Sequence, residues 1–335
     1  LEASLPPNVI PTPREGPSPF IHGTSIQFAW DSTCLGALKK CPRFYQLQII
    51  EGWRPKDTSV HLTFGILYTE ALEYYDLLRA EDFNHEQALD SVVNQVLEKT
   101  WVPESEGVRA HRWEHGPYDS KIGNKNFYNL IRSVIWYLEQ YKDDPCKVVI
   151  AEDGTPLVER SFRMELDFGP LVDNKIRYII CGHLDKVVDF VGSRFTMDHK
   201  TTKTTISDYY FDQYHPNNQM SLYTIAGKVI FDSEIKGVII DAAQIAVGFT
   251  RFERGLTYRS EAQIQEWLND LCIWLQHAES YAIHNYWPQN DVACFNCDFN
   301  KGQSKICAKD PSVRQMFLES HFTQEDPWNP LKVRN

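Results

Sequence analysis

The sequence predicts an α/β fold with a helical portion assembled from both ends of the chain. Three observations carry this. Apolar residues recur at helical spacing up to about residue 142; short Ile- and Val-rich runs with period-two alternation take over between about 146 and 200; helical spacing returns after about 260. At 335 residues the chain is long enough for one large or two small domains with a sizeable core. Its 42% hydrophobic and 24% charged residues are the balance of a soluble globular protein. There is no internal repeat.

Residues 1–24 are Pro-rich and read as a flexible arm. Asp31 or Ser32 can cap a helix reaching about residue 50, with Leu35, Leu38, Phe44 and Leu47 at helical spacing. Cys41 lies in this stretch, and Pro42 begins or kinks the helix there. Further helices are expected at about 64–81, 84–99 and 124–142, with a loop at 101–122. Strands follow at about 146–152, 156–168, 176–190 and 194–200. A helix at about 215–231, an apolar strand at 237–249 and a long amphipathic helix at about 260–285 come next. A polar loop holding cysteines and a short helix near 311–321 complete the chain.

The densest chemistry lies between Cys181 and Lys203, CGHLDKVVDFVGSRFTMDHKTTK. Val191-Gly192-Ser193 is a turn signal between two strand-like runs, so Asp185 on the first run arrives beside Asp198 on the second. Alternation puts Asp198 and Lys200 on one face and His199 on the other. Two carboxylates forced together repel unless a cation separates them, and a hard divalent ion such as Mg²⁺ fits that role. The lysine can then orient an attacking water or steady the charge building on a phosphate. Downstream, Gln219 and Tyr223 lie one helical turn apart on a shared face. Upstream, the helix LTFGILYTEALEYYD bears Glu70, Glu73 and Asp76. Taken alone, the trio also reads as a solvated strand face with a salt bridge, and Glu70 and Glu73 as solvated positions on an amphipathic helix.

Of the eight cysteines, Cys146, Cys181 and Cys272 lie in apolar periodic segments, where inert buried thiols are the default. Cys294, Cys297 and Cys307 differ: the polar loop ACFNCDFNKGQSKIC offers two thiols in C-x-x-C and a third nine residues on. A complete site needs a fourth ligand, with Cys41 and Cys34 both available. Four thiolates suit Zn²⁺ or an iron–sulfur cluster, and spacing does not separate them. Either would clamp the two ends of the chain together.

Together these residues resemble the PD-(D/E)XK nuclease superfamily and, within it, the RecB/AddB-type branch, which includes CRISPR-associated nucleases carrying an iron–sulfur cluster and resembles phage exonucleases. The resemblance rests on Gly182-His183-Leu184-Asp185, Asp198-His199-Lys200, Gln219 with Tyr223, Cys41-Pro42-Arg43-Phe44-Tyr45, and the late C-x2-C-x9-C. It implies a restriction-endonuclease-like mixed central sheet flanked by helices, with a metal-stapled helical portion built from both chain ends. It also implies a divalent-metal-dependent DNA nuclease, an exonuclease acting on ends or single strands in recombination, repair or phage DNA processing. In that pattern Asp185 and Asp198 hold Mg²⁺ or Mn²⁺ with the backbone carbonyl of His199 as a further ligand. Lys200 positions water, Gln219 and Tyr223 brace the site, and Glu73 or Glu70 completes the metal shell. Cys41 joins Cys294, Cys297 and Cys307 around a [4Fe–4S] cluster, with zinc as the lesser choice. The implied division is an arm at 1–24, a helical part at 25–145 with the first nuclease helix, a core at 146–258, and a C-terminal helix and cysteine region at 259–335. A helicase or recombination partner is a further implication. Two departures stand out: Thr69 occupies a position where the family commonly has a metal-binding histidine, and the last cysteine spacing is longer than usual. Thr69 supports a second reading, a non-catalytic DNA-binding or complex-forming module that keeps the fold and the cysteine staple.

The net charge of −11 argues against broad coating of duplex DNA and leaves room for a narrow basic channel. Lys39, Lys40, Arg43, Lys200, Lys203, Arg251 and Arg254 are the groups available to line one. His111 to His115 fits the H-x-x-E-H of inverted zinc peptidases, but Gly116-Pro117 follows at once and the helix that chemistry needs is not expected. No phosphate-loop motif is present, so no ATP-driven motor is encoded. No apolar run suits a membrane span or signal peptide, which points to a cytoplasmic chain with reduced thiols.

Overall fold

The computed structural model describes residues 17–56, 60–102, 111–112, 123–173, 175–230, 235–302 and 304–332. After β1 (Ala29–Trp30), α1 (Ser32–Lys40) is capped by Asp31, whose carboxylate accepts the Cys34 N–H at 2.7 Å. The helix stops at Cys41, an extended residue, and Pro42 opens α2 (Pro42–Tyr45), which continues as a π-helical turn, Gln46–Ile50. The single helix expected to residue 50 is therefore broken. Proline has no N–H to continue the ladder and its ring obstructs the preceding turn, while its fixed φ suits a helix start.

Next come β2 (Trp53–Pro55), α3 (Val60–Ala80) and α4 (His85–Lys99), the last opened by a reciprocal capping box between Asn84 and Gln87. The segment read as a loop holds an antiparallel pair, β3 (Trp101–Val102) and β4 (His111–Arg112). His111 thus begins a strand rather than a zinc-binding helix, and residues 113–115 of that pattern lie outside the described residues. Then follow α5 (Phe127–Gln140), β5 (Lys147–Val148), β6 (Val158–Glu165), β7 (Ile179–Phe190) and β8 (Ser193–Thr202). An unexpected short helix, α6 (Asp208–Asp212), precedes α7 (Asn218–Ile230) and β9 (Ile235–Ile245). A further unexpected strand, β10 (Thr250–Tyr258), comes before α8 (Glu261–Ile283), α9 (Arg314–His321) and β11 (Phe322–Gln324). Among the described residues no helix is long and apolar enough to cross a membrane.

The chain forms two compact units. One comprises Leu1–Asp57, Ser161–Gly182 and Ser260–Asn335. In it β1 runs parallel to the start of β7, with Ala29 opposite Ile179, and β2 pairs antiparallel with β11, with Trp53 opposite Gln324. Trp328 adds two ties between the chain ends, donating its N–H to Ile49 O at 2.9 Å and its ring N–H to Asp31 at 2.8 Å. Gly52 is obligatory in this seam: its φ is +75°, and a Cβ there would lie 2.1 Å from the Glu325 carbonyl oxygen.

The other unit comprises Thr58–Arg160 and His183–Arg259. Here β7 and β8 form a hairpin from Lys186 opposite Met197 to Phe190 opposite Ser193, closed by Val191 and Gly192 at φ +50° and +70°. β8 pairs parallel with β9, β9 antiparallel with β10, and β5 antiparallel with β7, giving a mixed sheet flanked by helices. α3, α4 and α5 pack on one face, where Tyr68, Leu72, Leu130, Val134 and Tyr137 meet Ala243, Ile245 and Phe252. α4 contributes the stripe Ala88, Val92 and Val96, every fourth residue. Burying its two valines is worth about 2 kcal/mol each, enough to dock an otherwise polar helix. α7 packs against β8 and β9 and approaches so closely that a Cβ on Gly227 would lie 3.0 Å from the Ile235 side chain.

A charged network sits beneath the α5 side of this sheet. Asp241, 1% exposed at the side chain, accepts from Tyr137 OH, stands 3.3 Å from Arg254 Nε and 3.1 Å from His199 Nδ1. Arg254 also grips Asp144 at 2.6 and 2.8 Å. Burial alone would raise the Asp241 carboxyl, yet His199, Arg254 and Tyr137 hold it below the usual carboxylate range.

Arg254→Met leaves the buried Asp241 and the partly buried Asp144 without their cation and should destabilise the chain by about 3–5 kcal/mol in urea unfolding. A loss near zero would show that the network is not what seats β10 on α5.

Candidate active site

The β7–β8 ladder ends where Lys186 faces Met197, and the next residues outward are Asp185 and Asp198. Asp185 Oδ2 accepts the backbone N–H of His199 at 2.8 Å, which ties the two strands beyond the ladder. Asp198 is 1% exposed. Lys200 Nζ stands 2.5 Å from Asp198 Oδ2 and donates to Gln219 Oε1 at 3.1 Å. Gln219 Nε2 in turn donates to Tyr223 OH at 2.9 Å. Asn217 fixes the start of α7 by accepting the N–H groups of Gln219 and Met220 at 3.0 and 3.2 Å. The expected residues Asp185, Asp198, Lys200, Gln219 and Tyr223 are thus brought into one continuous array.

Alternation along β8 separates that array from the scaffold. Asp198 and Lys200 face α7, while His199 and Thr201 face α3 and α5. The His199 ring is committed to Asp241, so only its backbone lies near the two carboxylates. Lys186, beside Asp185, likewise turns toward α3 and pairs with Asp76 at 2.8 Å.

On α3 the two glutamates diverge. Glu73 is buried, whereas Glu70 Oε2 lies 2.8 Å from Lys99 Nζ of α4 and is not brought to the carboxylate pair. Among the described residues no three acid, histidine or cysteine side chains stand close enough to hold an ion in the arrangement seen.

The electrostatics of the array set two acids against one base. Burial pushes the Asp198 carboxyl up to about 6; Lys200 opposes the rise and Asp185 adds to it. Burial works against the Lys200 ammonium, but Asp198 and Asp185 more than compensate and hold it above its ordinary value. Two carboxylates share one ammonium, and the drier acid lies deepest. An oxygen-rich pair of this kind suits a hard divalent cation, with Asp185 and Asp198 as the residues to hold it.

In the other unit, Cys41, Cys294, Cys297 and Cys307 line one small hollow together with Phe44, Leu47 and Phe299. Cys41 Sγ accepts the Asn290 N–H at 3.2 Å, and Cys294 Sγ donates to Asn290 O at 3.7 Å. Burial raises the thiols of Cys297 and Cys307 above their ordinary value. Cys34 is not part of this group; it lies buried beside Asp31 and accepts from Gln27 Nε2 at 3.2 Å.

Two of the basic groups set aside for a phosphate channel have other partners. Arg254 is locked between Asp144 and Asp241, and Arg251 pairs with Glu253. Conversely, the sequence reading missed Asp241, Arg254 and Lys186 as supports of the site. The available signal was a lone acid inside the apolar run GVIIDAAQIAV and a lysine at an inward position of β7.

The sequence model of the PD-(D/E)XK nuclease superfamily matches residues 33–301. Among solved structures, one similar chain is a "Putative exonuclease" from Eubacterium rectale, at 12% identity and a TM-score of 0.45, over 86% of this chain and 92% of that one. Another is SSO0001, at 15% identity and a TM-score of 0.27, over 53% of this chain and 70% of that one. No curated protein matches the sequence.

The raised Asp198 carboxyl has a stability consequence with a definite sign. The folded chain holds this proton more tightly than the unfolded one, so the contribution is complete below the unfolded value of 3.8 and is lost as pH rises through about 6. In chelator, Asp198→Asn should therefore gain on the wild type across that window, by up to about 3 kcal/mol once both ends of it are passed. Added Mg²⁺ should stabilise the wild type and not the variant. Parallel stability–pH curves for the two proteins would contradict the assignment.

Proposed function

The chain belongs to the PD-(D/E)XK nuclease superfamily, and on that premise we propose that it is a divalent-metal-dependent deoxyribonuclease of the RecB/AddB type. The observation that carries the proposal is the array Asp185–Asp198–Lys200–Gln219, gathered at the open end of one hairpin. Its preferred substrates are DNA ends or single strands, and its reaction is hydrolysis of a phosphodiester. Water adds to phosphorus, the bond to the leaving oxygen breaks, and that oxygen takes up a proton.

Mg²⁺ or Mn²⁺ held by Asp185 and Asp198, with the His199 carbonyl as a further ligand, supplies Lewis-acid and water-activating chemistry. The chain's own groups do the rest. Lys200 directs a donor toward the attacking water and steadies the negative charge that accumulates on the phosphoryl oxygens. Gln219 is a positioning residue: its carbonyl accepts from Lys200 and its amide donates to Tyr223, so the amide cannot turn over without losing one of these bonds. Glu73, buried on the same helix, is the glutamate assigned to the cation's shell, since Glu70 is engaged with Lys99.

The cysteine hollow supports the companion proposal of a structural [4Fe–4S] cluster bound by Cys41, Cys294, Cys297 and Cys307. Four thiols around one hollow match the donor set, and the site would staple residues far apart in the chain. A role in recombination, repair or phage DNA processing, in the cytoplasm, belongs to the same reading.

End-labelled single- and double-stranded DNA, incubated with Mn²⁺ or with chelator, tests the activity. Cutting should require metal, fall by at least about 10³-fold in Asp198→Ala and Lys200→Ala, and fall about tenfold in Gln219→Ala. A wild type that cuts no better than Asp198→Ala would leave the non-catalytic DNA-binding module. Brown protein with bound iron, bleached in Cys297→Ala, is expected for the cluster; colourless protein holding zinc would overturn that part alone.

A further inference from the structure

Lys125, two residues before α5, is only 4% exposed. Its Nζ donates to the carbonyl oxygen and the hydroxyl of Thr201, at 3.1 and 2.7 Å, and lies 5.3 Å from the Phe64 ring centre. Among the described residues no carboxylate pairs with it. Buried Lys186 is matched by Asp76, and the partly buried Arg254 and Lys200 are matched by Asp144 with Asp241 and by Asp198; Arg259, also buried, spends its guanidinium on the hydroxyls of Ser221 and Thr257 and the carbonyls of Tyr214 and Tyr258.

The charged group that acts on Lys125 is instead another base, Lys203. Burial, then the charge of Lys203, bring its ammonium down to about 8. Burial, then Lys125 and Lys203, lower His61 in the first turn of α3. Acids outnumber Lys and Arg by 45 to 34 in this chain, so a buried lysine under the influence of a second lysine rather than an acid runs against its composition. An unpaired buried ammonium is costly, and neighbours of like charge add to the cost; a bound anion removes both terms. Lys203 and His61 are exposed, so the cluster opens to solvent on their side. Thr201 directly follows Lys200 on β8, which sets the cluster at the same end of the sheet as the proposed scissile position.

We propose that Lys125, with Lys203 and His61, forms a phosphate-binding subsite that holds a backbone phosphate of the substrate strand next to the one being cut. The proposal rests on the nuclease reading and adds a strand-anchoring role on the α3 side of β8. Lys125 supplies its remaining ammonium donor, Thr201 fixes the direction of that ammonium, and Lys203 and His61 close around the anion from the solvent side.

The test is binding of a fluorescent single-stranded oligodeoxynucleotide to the full chain in chelator, followed across a salt series. Lys125→Met and Lys203→Gln should each reduce the slope of log affinity against log salt by about 0.7, while the exposed control Lys147→Gln should not. A purely structural Lys125 would alter stability and leave the slope alone. Should Lys125→Met fail to fold, Lys203→Gln decides the matter. Unchanged slopes in protein that still cuts DNA overturn the subsite and spare the nuclease reading. Wild type that neither binds nor cuts overturns both. A Tm raised by inorganic phosphate with unchanged slopes would identify a free-anion site instead and overturn the strand contact.

Discussion

The constraint on which this molecule turns is a carboxylate taken almost wholly out of water. Asp198 sits at 1% exposure with a second acid beside it and one ammonium 2.5 Å away. Neither hydrophobic burial nor hydrogen bonding accounts for putting two acids and a lysine at the end of a hairpin, since each is more stable hydrated. On the proposed nuclease reading the arrangement is the carboxylate part of a cation's shell, and a cation held there would relieve the repulsion of the two acids. The surrounding structure must be stiff enough to hold the two acids in place. Strand alternation provides this: every other residue of β8 serves the array, and the intervening ones grip the scaffold through His199 to Asp241 and Thr201 to Lys125.

Much of this is legible in the sequence. The turn at Val191-Gly192, the Asp-x-Lys spacing and the one-turn separation of Gln219 and Tyr223 are local patterns, and local patterns survive translation into structure. What escaped were elements whose logic is tertiary. The strand Thr250–Tyr258 reads as charged because RFER interrupts its apolar alternation; Arg251 and Glu253 pair with each other, and Arg254 makes sense only against Asp241 and Asp144. The break at Cys41 is foreseeable as a kink but not as an extended residue. Glu70 and Glu73 look equivalent on the helix; their difference comes from Lys99, which lies on another helix.

The same lesson governs the charges. A net charge of −11 says little about where a phosphate can approach, because the cations Lys186, Lys200 and Arg254 are neutralised by particular acids. Arg254, counted from sequence among the groups for a nucleic-acid channel, is structural cement. Lys125, which no motif singles out, is a buried cation that no acid among the described residues pairs with. In the cysteine region the chain ends are already joined by β2 with β11 and by Trp328, so a bound cluster would reinforce an existing seam rather than create it.

Titration calorimetry of Mn²⁺ into the metal-free full chain probes the central claim most directly. The expected result is a saturable binding event that Asp198→Asn weakens at least about tenfold. Superimposable isotherms for the wild type and Asp198→Asn would contradict it, since the buried acid would then have no part in holding a cation.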